Sequence, residues 1–188
     1  MKKLKYLIWT VMIVLSLTAC TTDQGRIVDN DEGDAYMNVS NSHRAPDYVK
    51  VADKPTYPVG SQVIINADHV PGMKGAKATI KGAYQTTVYM VSYIPKTVGD
   101  SVNNYKWVIH EEIANAKLAP YKPGEKVVLN VDHIKGMDGA GATIESAKQT
   151  TVYMVNYMDT RTGTEVENYQ WVIEDELLPA KQQRKETL

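Results

Sequence analysis

The sequence predicts an all-β protein in which one small domain occurs twice. Residues 57–112 align with residues 121–176 at a displacement of 64 without a gap, and 30 of the 56 positions are identical. In each repeat, short runs of β-branched and aromatic residues alternate with glycine turns, which is typical of small β domains. We therefore expect two tandem SH3-like barrels, or two partly open sheets, after a flexible tether.

Each repeat carries signals for four to five short strands. In the first repeat, the run 60–67 follows a Pro-Val-Gly turn, and a glycine-rich loop leads to the run 76–80. Residues 87–93 alternate with the period of a strand that has one face on a core. A turn near Gly99 precedes the run 104–109, which contains a tryptophan expected to anchor the core. The second repeat follows the same pattern.

The N-terminus predicts export and a lipid anchor. Three lysines within residues 2–5 precede an apolar stretch at 7–17 that is too short to span a bilayer comfortably. Leu-Thr-Ala then precedes Cys20 and resembles a bacterial lipobox, so residues 1–19 are predicted to be a signal peptide. The resemblance implies a diacylglyceryl group on Cys20 and attachment to the outer face of a membrane.

The remainder of the chain divides by composition into four segments. Residues 20–54 are polar and acidic, without periodicity, and are predicted to be a flexible tether. Residues 55–116 and 117–178 are the two predicted β domains, and residues 179–188 are a polar tail. We call the two domain segments the first and second repeats.

Composition argues against nucleic-acid binding and against enzymatic activity. The chain has 21 basic and 22 acidic residues, and removal of the three lysines in the signal peptide leaves a net charge near −4. Once Cys20 is lipidated, no thiol remains for catalysis or a zinc cage. The acidic pairs Glu111-Glu112 and Asp175-Glu176 lie at domain ends, where we expect solvated surface. His110 has Glu174 as its counterpart, so it has no shared catalytic role.

The motif Asp-His-x-x-Gly-Met occurs in both repeats and offers an imidazole and a thioether from one loop. Cu(I) accepts both donors, whereas magnesium and calcium favour neither. The predicted ligands are His69 and Met73 in the first repeat and His133 and Met137 in the second. Further candidates are the extra donors Met90 and Met154 and the orienting carboxylates Asp68 and Asp132. From chemistry alone, a structural turn whose methionine fills the core is the favoured interpretation, and metal binding is the alternative.

The repeated motifs also resemble a known family. Ala-Asp-His, Gly-Met-Lys-Gly-Ala, Ala-Thr-Ile, Thr-Thr-Val-Tyr and Tyr-Lys-Trp-Val-Ile, spread over 54–178, are similar to the YdhK family of bacterial surface lipoproteins, which carry a domain of unknown function twice. The resemblance implies a lipid-anchored protein on the extracellular face of a Gram-positive membrane, with no enzymatic activity and with some relatives linked to copper resistance. Val70 and Ile134 stand where relatives commonly have another methionine, so a weaker or altered site is expected.

Two functions follow as hypotheses. The first is a monomeric surface lipoprotein that sequesters Cu(I) for copper tolerance, with copper ions or copper-export machinery as its partners. The second is a cell-envelope interaction module that holds a peptide or a wall polymer in aromatic grooves. The second hypothesis requires tyrosine and tryptophan rings to form a contiguous exposed patch.

Overall fold

The computed structural model describes residues 45–180 and contains strands with two short 3-10 turns. The strands are β1 (Gln62–Ile65), β2 (Lys77–Tyr93), β3 (Val102–Ile109), β4 (Lys126–Val128), β5 (Gly141–Met158), β6 (Glu165–Ile173) and β7 (Leu177–Pro179). No α-helix, and hence no membrane-crossing helix, occurs within this range. The predicted all-β class and the tandem repeat are confirmed. The predicted signal peptide, Cys20 and residues 181–188 lie outside the described residues.

Two long antiparallel strands, one from each repeat, form the centre of the molecule. β2 and β5 pair from Ala78 opposite Tyr157 to Tyr93 opposite Ala142. The sequence predicted two short strands in the place of each long one. The long strands are continuous because residues 82–86 of one repeat find hydrogen-bonding partners in residues 150–154 of the other.

Short strands flank the two ends of this long pair. At one end, β1 and β7 extend the sheet beyond β2, and β6 pairs with β5. At the other end, β3 pairs with β2 and β4 pairs with β5. The sheet does not close on itself, so the structure matches the partly open alternative and not two closed barrels.

Each end of the sheet buries a core that combines both repeats. The first core contains residues 63–83 of the first repeat with residues 153–177 of the second. The second core contains residues 89–113 with residues 127–144. The predicted domain boundary at 116/117 therefore separates two sequence repeats, while each core crosses it, because β2 and β5 each pass through both ends of the sheet.

A third, central cluster lies between the two cores and includes both tryptophans of the described chain. Trp107 is 8% exposed and Trp171 is fully buried, as expected for core anchors, and the peptide bond before each of them is cis. Ala45 and Val49 are buried in the same cluster, although their segment was predicted to be tether. These apolar side chains hold residues 45–52 against the sheet, and the backbone of Ala52 donates to Ala83. Pro179, predicted as tail, pairs with β1.

Candidate functional site

One predicted histidine lies at the centre of a hydrogen-bonded group that combines both repeats. His69 follows β1, and its Nε2 lies 2.8 Å from Oε1 of Glu176. Its Nδ1 lies 3.4 Å from the hydroxyl of Tyr169 on β6. The other carboxylate oxygen of Glu176 accepts the indole N–H of Trp107 at 2.9 Å. We call these four residues the first His–Glu cluster.

The other histidine has the same surroundings, displaced by 64 residues. Nε2 of His133 lies 3.0 Å from Oε1 of Glu112, and its Nδ1 lies 3.0 Å from the hydroxyl of Tyr105. The indole N–H of Trp171 donates to the same oxygen of Glu112 at 2.9 Å. These four residues form the second His–Glu cluster. In both clusters the histidine and the carboxylate come from different repeats.

The carboxylates of the two clusters were expected on the surface, and that prediction is wrong. The side chain of Glu112 is 3% exposed and that of Glu176 is 15% exposed. Each closes a 3-10 turn and accepts the backbone N–H three residues earlier, from Ile109 or Ile173, which turns the carboxylate inward. The available sequence signal was identity between the repeats, because both positions carry Glu whereas the preceding position varies.

The hydrogen bonds of the clusters favour one form of each imidazole. Burial raises the pKa of Glu176, but hydrogen bonds from His69, Trp107 and the Ile173 backbone outweigh it, so the pKa lies below its ordinary value. Burial raises the pKa of both Tyr169 and Tyr105, so their hydroxyls keep their protons. A proton on Nε2 then faces a carboxylate, and the lone pair on Nδ1 faces a hydroxyl donor.

The predicted thioether donors lie inside the two cores. Met73 and Met137 are fully buried, the former in the first core and the latter in the second. Met90 and Met154 belong instead to the central cluster, where the amide of Gln170 contacts the sulfur of Met154 at 3.7 Å. The structure therefore places the extra donors in a different cluster from the loop methionines.

The loop that carries each His/Met pair has the same backbone in both repeats. In the first loop, Met73 donates its N–H to Val70 and accepts from Ala76, and the second loop repeats both bonds. The glycine between histidine and methionine has a φ of +86° in each loop, as the predicted tight turn requires. Asp68 is exposed and Asp132 is half-exposed, while Glu176 and Glu112 hold the two imidazoles.

Each loop is held by a hairpin of the other repeat. The carbonyl of Gly72 accepts the backbone N–H of Thr160 at 2.9 Å, from the turn between β5 and β6. The carbonyl of Gly136 accepts the backbone N–H of Lys96 at 2.9 Å, from the turn between β2 and β3. A backbone hydrogen bond thus joins each loop to a hairpin of the other repeat.

The repeats match a described family twice. The family "Protein of unknown function (DUF1541)" matches residues 59–110 and 123–174, which together make up more than half of the chain. The chain belongs to the DUF1541 family. A relative from Bacillus subtilis strain 168, "Uncharacterized protein YdhK", is 45% identical over 185 residues, covering 94% of this chain and 90% of the relative. The resemblance to YdhK proteins is confirmed.

Solved structures of DUF1541 proteins have the same fold. A crystal structure of YdhK from Bacillus subtilis superposes with a TM-score of 0.72 at 51% identity, covering 73% of this chain and 93% of that one. A solution NMR structure of the YdhK C-terminal domain gives a TM-score of 0.63 at 55% identity, covering 65% of this chain and 92% of that domain. This chain therefore shares its fold with these YdhK structures.

Proposed function

We propose that this protein is a lipid-anchored surface protein that binds Cu(I), one ion at each His/Met loop. The anchor is the diacylglyceryl group expected on Cys20, at the extracellular face of the membrane. The ligands are His69 with Met73 and His133 with Met137. The protein acts by sequestration, and it exchanges its ion with free copper or with export machinery.

The observation that carries the proposal is the pairing of each imidazole with a buried carboxylate. A histidine that ligates a metal ordinarily donates its other ring N–H to a carboxylate or carbonyl, which fixes the tautomer and makes the free nitrogen a better ligand. Glu176 and Glu112 supply this acceptor for Nε2. Nδ1 is therefore the ligating atom, and the ion takes the place of a tyrosine hydroxyl that lies 3.0 to 3.4 Å away.

The donor set fits a soft monovalent ion. A thioether and an imidazole suit Cu(I), and the site provides no thiolate for zinc. Met73 and Met137 are sealed in the cores, so the loop must shift to present its sulfur to an ion. The side chains of His69 and His133 are 5% and 6% exposed, so the imidazoles lie just below the surface.

The alternative of an aromatic groove has no comparable support among residues 45–180. The rings that it needs at the surface are mostly buried: Tyr89, Tyr93, Tyr153, Tyr157, Tyr169, Trp107 and Trp171 are all at most 8% exposed. We therefore do not advance it as a second candidate.

Anaerobic Cu(I) titration tests the proposal. The chain from Thr21 onward, which lacks the cysteine thiol, should bind about two ions with defined affinity, one for each His/Met loop. Replacing both Met73 and Met137 by leucine keeps the core volume, so the fold should persist while most of this capacity disappears. The matched control is Met158→Leu, which removes an exposed thioether outside both loops and should leave the capacity unchanged. An unchanged stoichiometry in the folded double variant would refute the proposal.

A further inference from the structure

The two hairpins that hold the His/Met loops differ in charge at several matched positions, and at one of them a carboxylate lies against a loop. Asp159 begins the turn that covers the first loop, and Pro95 occupies the corresponding position in the turn that covers the second. The backbone bonds of the two hairpins to Gly72 and Gly136 are equivalent. The loops therefore have the same scaffold with a different side chain against it.

The carboxylate of Asp159 lies directly on the first loop. A Cβ atom added to Gly72 would overlap this carboxylate, whereas one added to Gly136 would overlap the neutral hydroxyl of Thr97. Asp159 is only 4% exposed. Its Oδ1 accepts the backbone N–H groups of Arg161 and Thr162 at 2.7 and 3.0 Å, and these bonds hold its pKa below the ordinary value. An ionised, buried carboxylate thus faces the turn between His69 and Met73.

Apart from the carboxylates of the two His–Glu clusters and the half-exposed Asp132, the other charged side chains of the loops and their hairpins are exposed and are screened by salt. Beside the first loop these include Lys74 and Arg161, whose Nε is 3.9 Å from Oδ1 of Asp159. Asp138 is an exposed acid within the second loop, and Lys96 brings its ammonium group against Gly139. The buried carboxylate at the first loop has no buried counterpart in the described hairpin of the second.

We propose that the two loops are unequal cation sites, and that Asp159 makes the first loop the tighter one, which is filled first. This inference rests on the proposed function and adds the order in which the two loops bind Cu(I). Asp159 acts as a positioning and electrostatic residue and not as a ligand. A buried anion attracts a cation more strongly than exposed charges do, because water and salt screen it less.

Single-loop variants test the inference. Met137→Leu leaves the first loop intact and Met73→Leu leaves the second, and Cu(I) affinity is measured by competition with a chromogenic Cu(I) chelator. The first loop should bind about fivefold more tightly, an effect of the size expected for one negative charge beside the loop at the effective dielectric of a protein surface. Asp159→Asn keeps the oxygen that accepts the two backbone bonds, so the hairpin should remain folded while most of the difference is lost.

The same substitution in the Met73→Leu background is the matched control, because Asp159 does not cover the second loop. There Asp159→Asn should leave the affinity unchanged. Two sites of equal affinity, or an equal effect of Asp159→Asn on both single-loop variants, would overturn the inference and leave copper binding intact. Failure of the unsubstituted chain to bind Cu(I) would overturn the proposed function and this inference together.

Discussion

At the scale of single residues, Glu112 accepts hydrogen bonds from three different parts of the chain. Its two oxygens accept from the imidazole of His133, the indole of Trp171 and the backbone of Ile109, and the residue is 2% exposed. Removal of such an acceptor leaves several buried donors without a partner, which costs far more than the original pair contributed. The burial of the His133, Trp171 and Ile109 donors therefore depends on this carboxylate.

Glu112→Ala should lower the free energy of unfolding by about 3 kcal/mol or more. The reason is that His133, Trp171 and Ile109 each lose a hydrogen-bond acceptor in an interior that water does not reach. Urea unfolding followed by circular dichroism measures the change. Asp175→Ala is the control, because Asp175 is exposed and pairs with the exposed Lys148, so its loss should change little. Equal effects of the two substitutions would contradict this role of Glu112.

At the scale of elements, two glycines separate two reasons why a turn excludes a side chain. One reason is the positive φ of the glycine, and the other is steric overlap with a neighbouring hairpin. Gly60 and Gly72 have nearly the same φ, +88° and +86°, so an added side chain strains both equally. A Cβ at Gly60 meets open space, whereas a Cβ at Gly72 overlaps Asp159. The overlap at Gly72 arises because the hairpin of the other repeat covers the loop.

Gly60→Ala should cost about 1 kcal/mol, which is the strain of a left-handed backbone. Gly72→Ala should cost at least about 1 kcal/mol more, because the hairpin must also move away from the loop. Thermal unfolding of both variants under one set of conditions gives the comparison. If Gly72→Ala is no worse than Gly60→Ala, the hairpin is not tightly held against the loop.

The sequence predicted the features that depend on neighbouring residues. It did not predict the features that depend on contacts with the other repeat. The positive φ of Gly72 and Gly136 follows from the residue type within a turn. The alternation in residues 87–93 correctly indicated a strand, but both of its faces are covered, because Val88 and Met90 pack in the central cluster. The continuation of β2 through residues 82–86 depends on partners in the other repeat, which a scan of one repeat does not reveal. The burial of Glu112 and Glu176 has the same origin.

At the scale of the molecule, the two repeats share both cores and the central cluster. Each core combines the beginning of one repeat with the end of the other, and the Trp–Glu hydrogen bonds join the two ends of the sheet. Neither repeat can bury its apolar residues alone. The tandem pattern in the sequence predicted the duplication. It did not predict the exchange of strands between the repeats, because the exchange depends on which strands pair.

The chain should unfold in one transition in which both repeats lose their structure together. Trp107→Phe leaves Trp171 as the reporter on β6, and Trp171→Phe leaves Trp107 on β3, in a chain that lacks residues 1–19. Within each variant, the fluorescence midpoint in denaturant should coincide with the midpoint from circular dichroism, because a local loss of either core removes part of both repeats. Two separate transitions would show that the repeats fold independently.

The exchange of strands also limits how the two copies can evolve. All six side-chain bonds within the His–Glu clusters run from one repeat to the other, and their residue types are the same in both copies. The copies have diverged at one bond that stays within a repeat: Tyr89 contacts His110, whereas its counterpart Tyr153 contacts Glu174. A mutation in one of these six bonds alters a contact made by the sister copy, so the duplicated halves constrain each other at these positions.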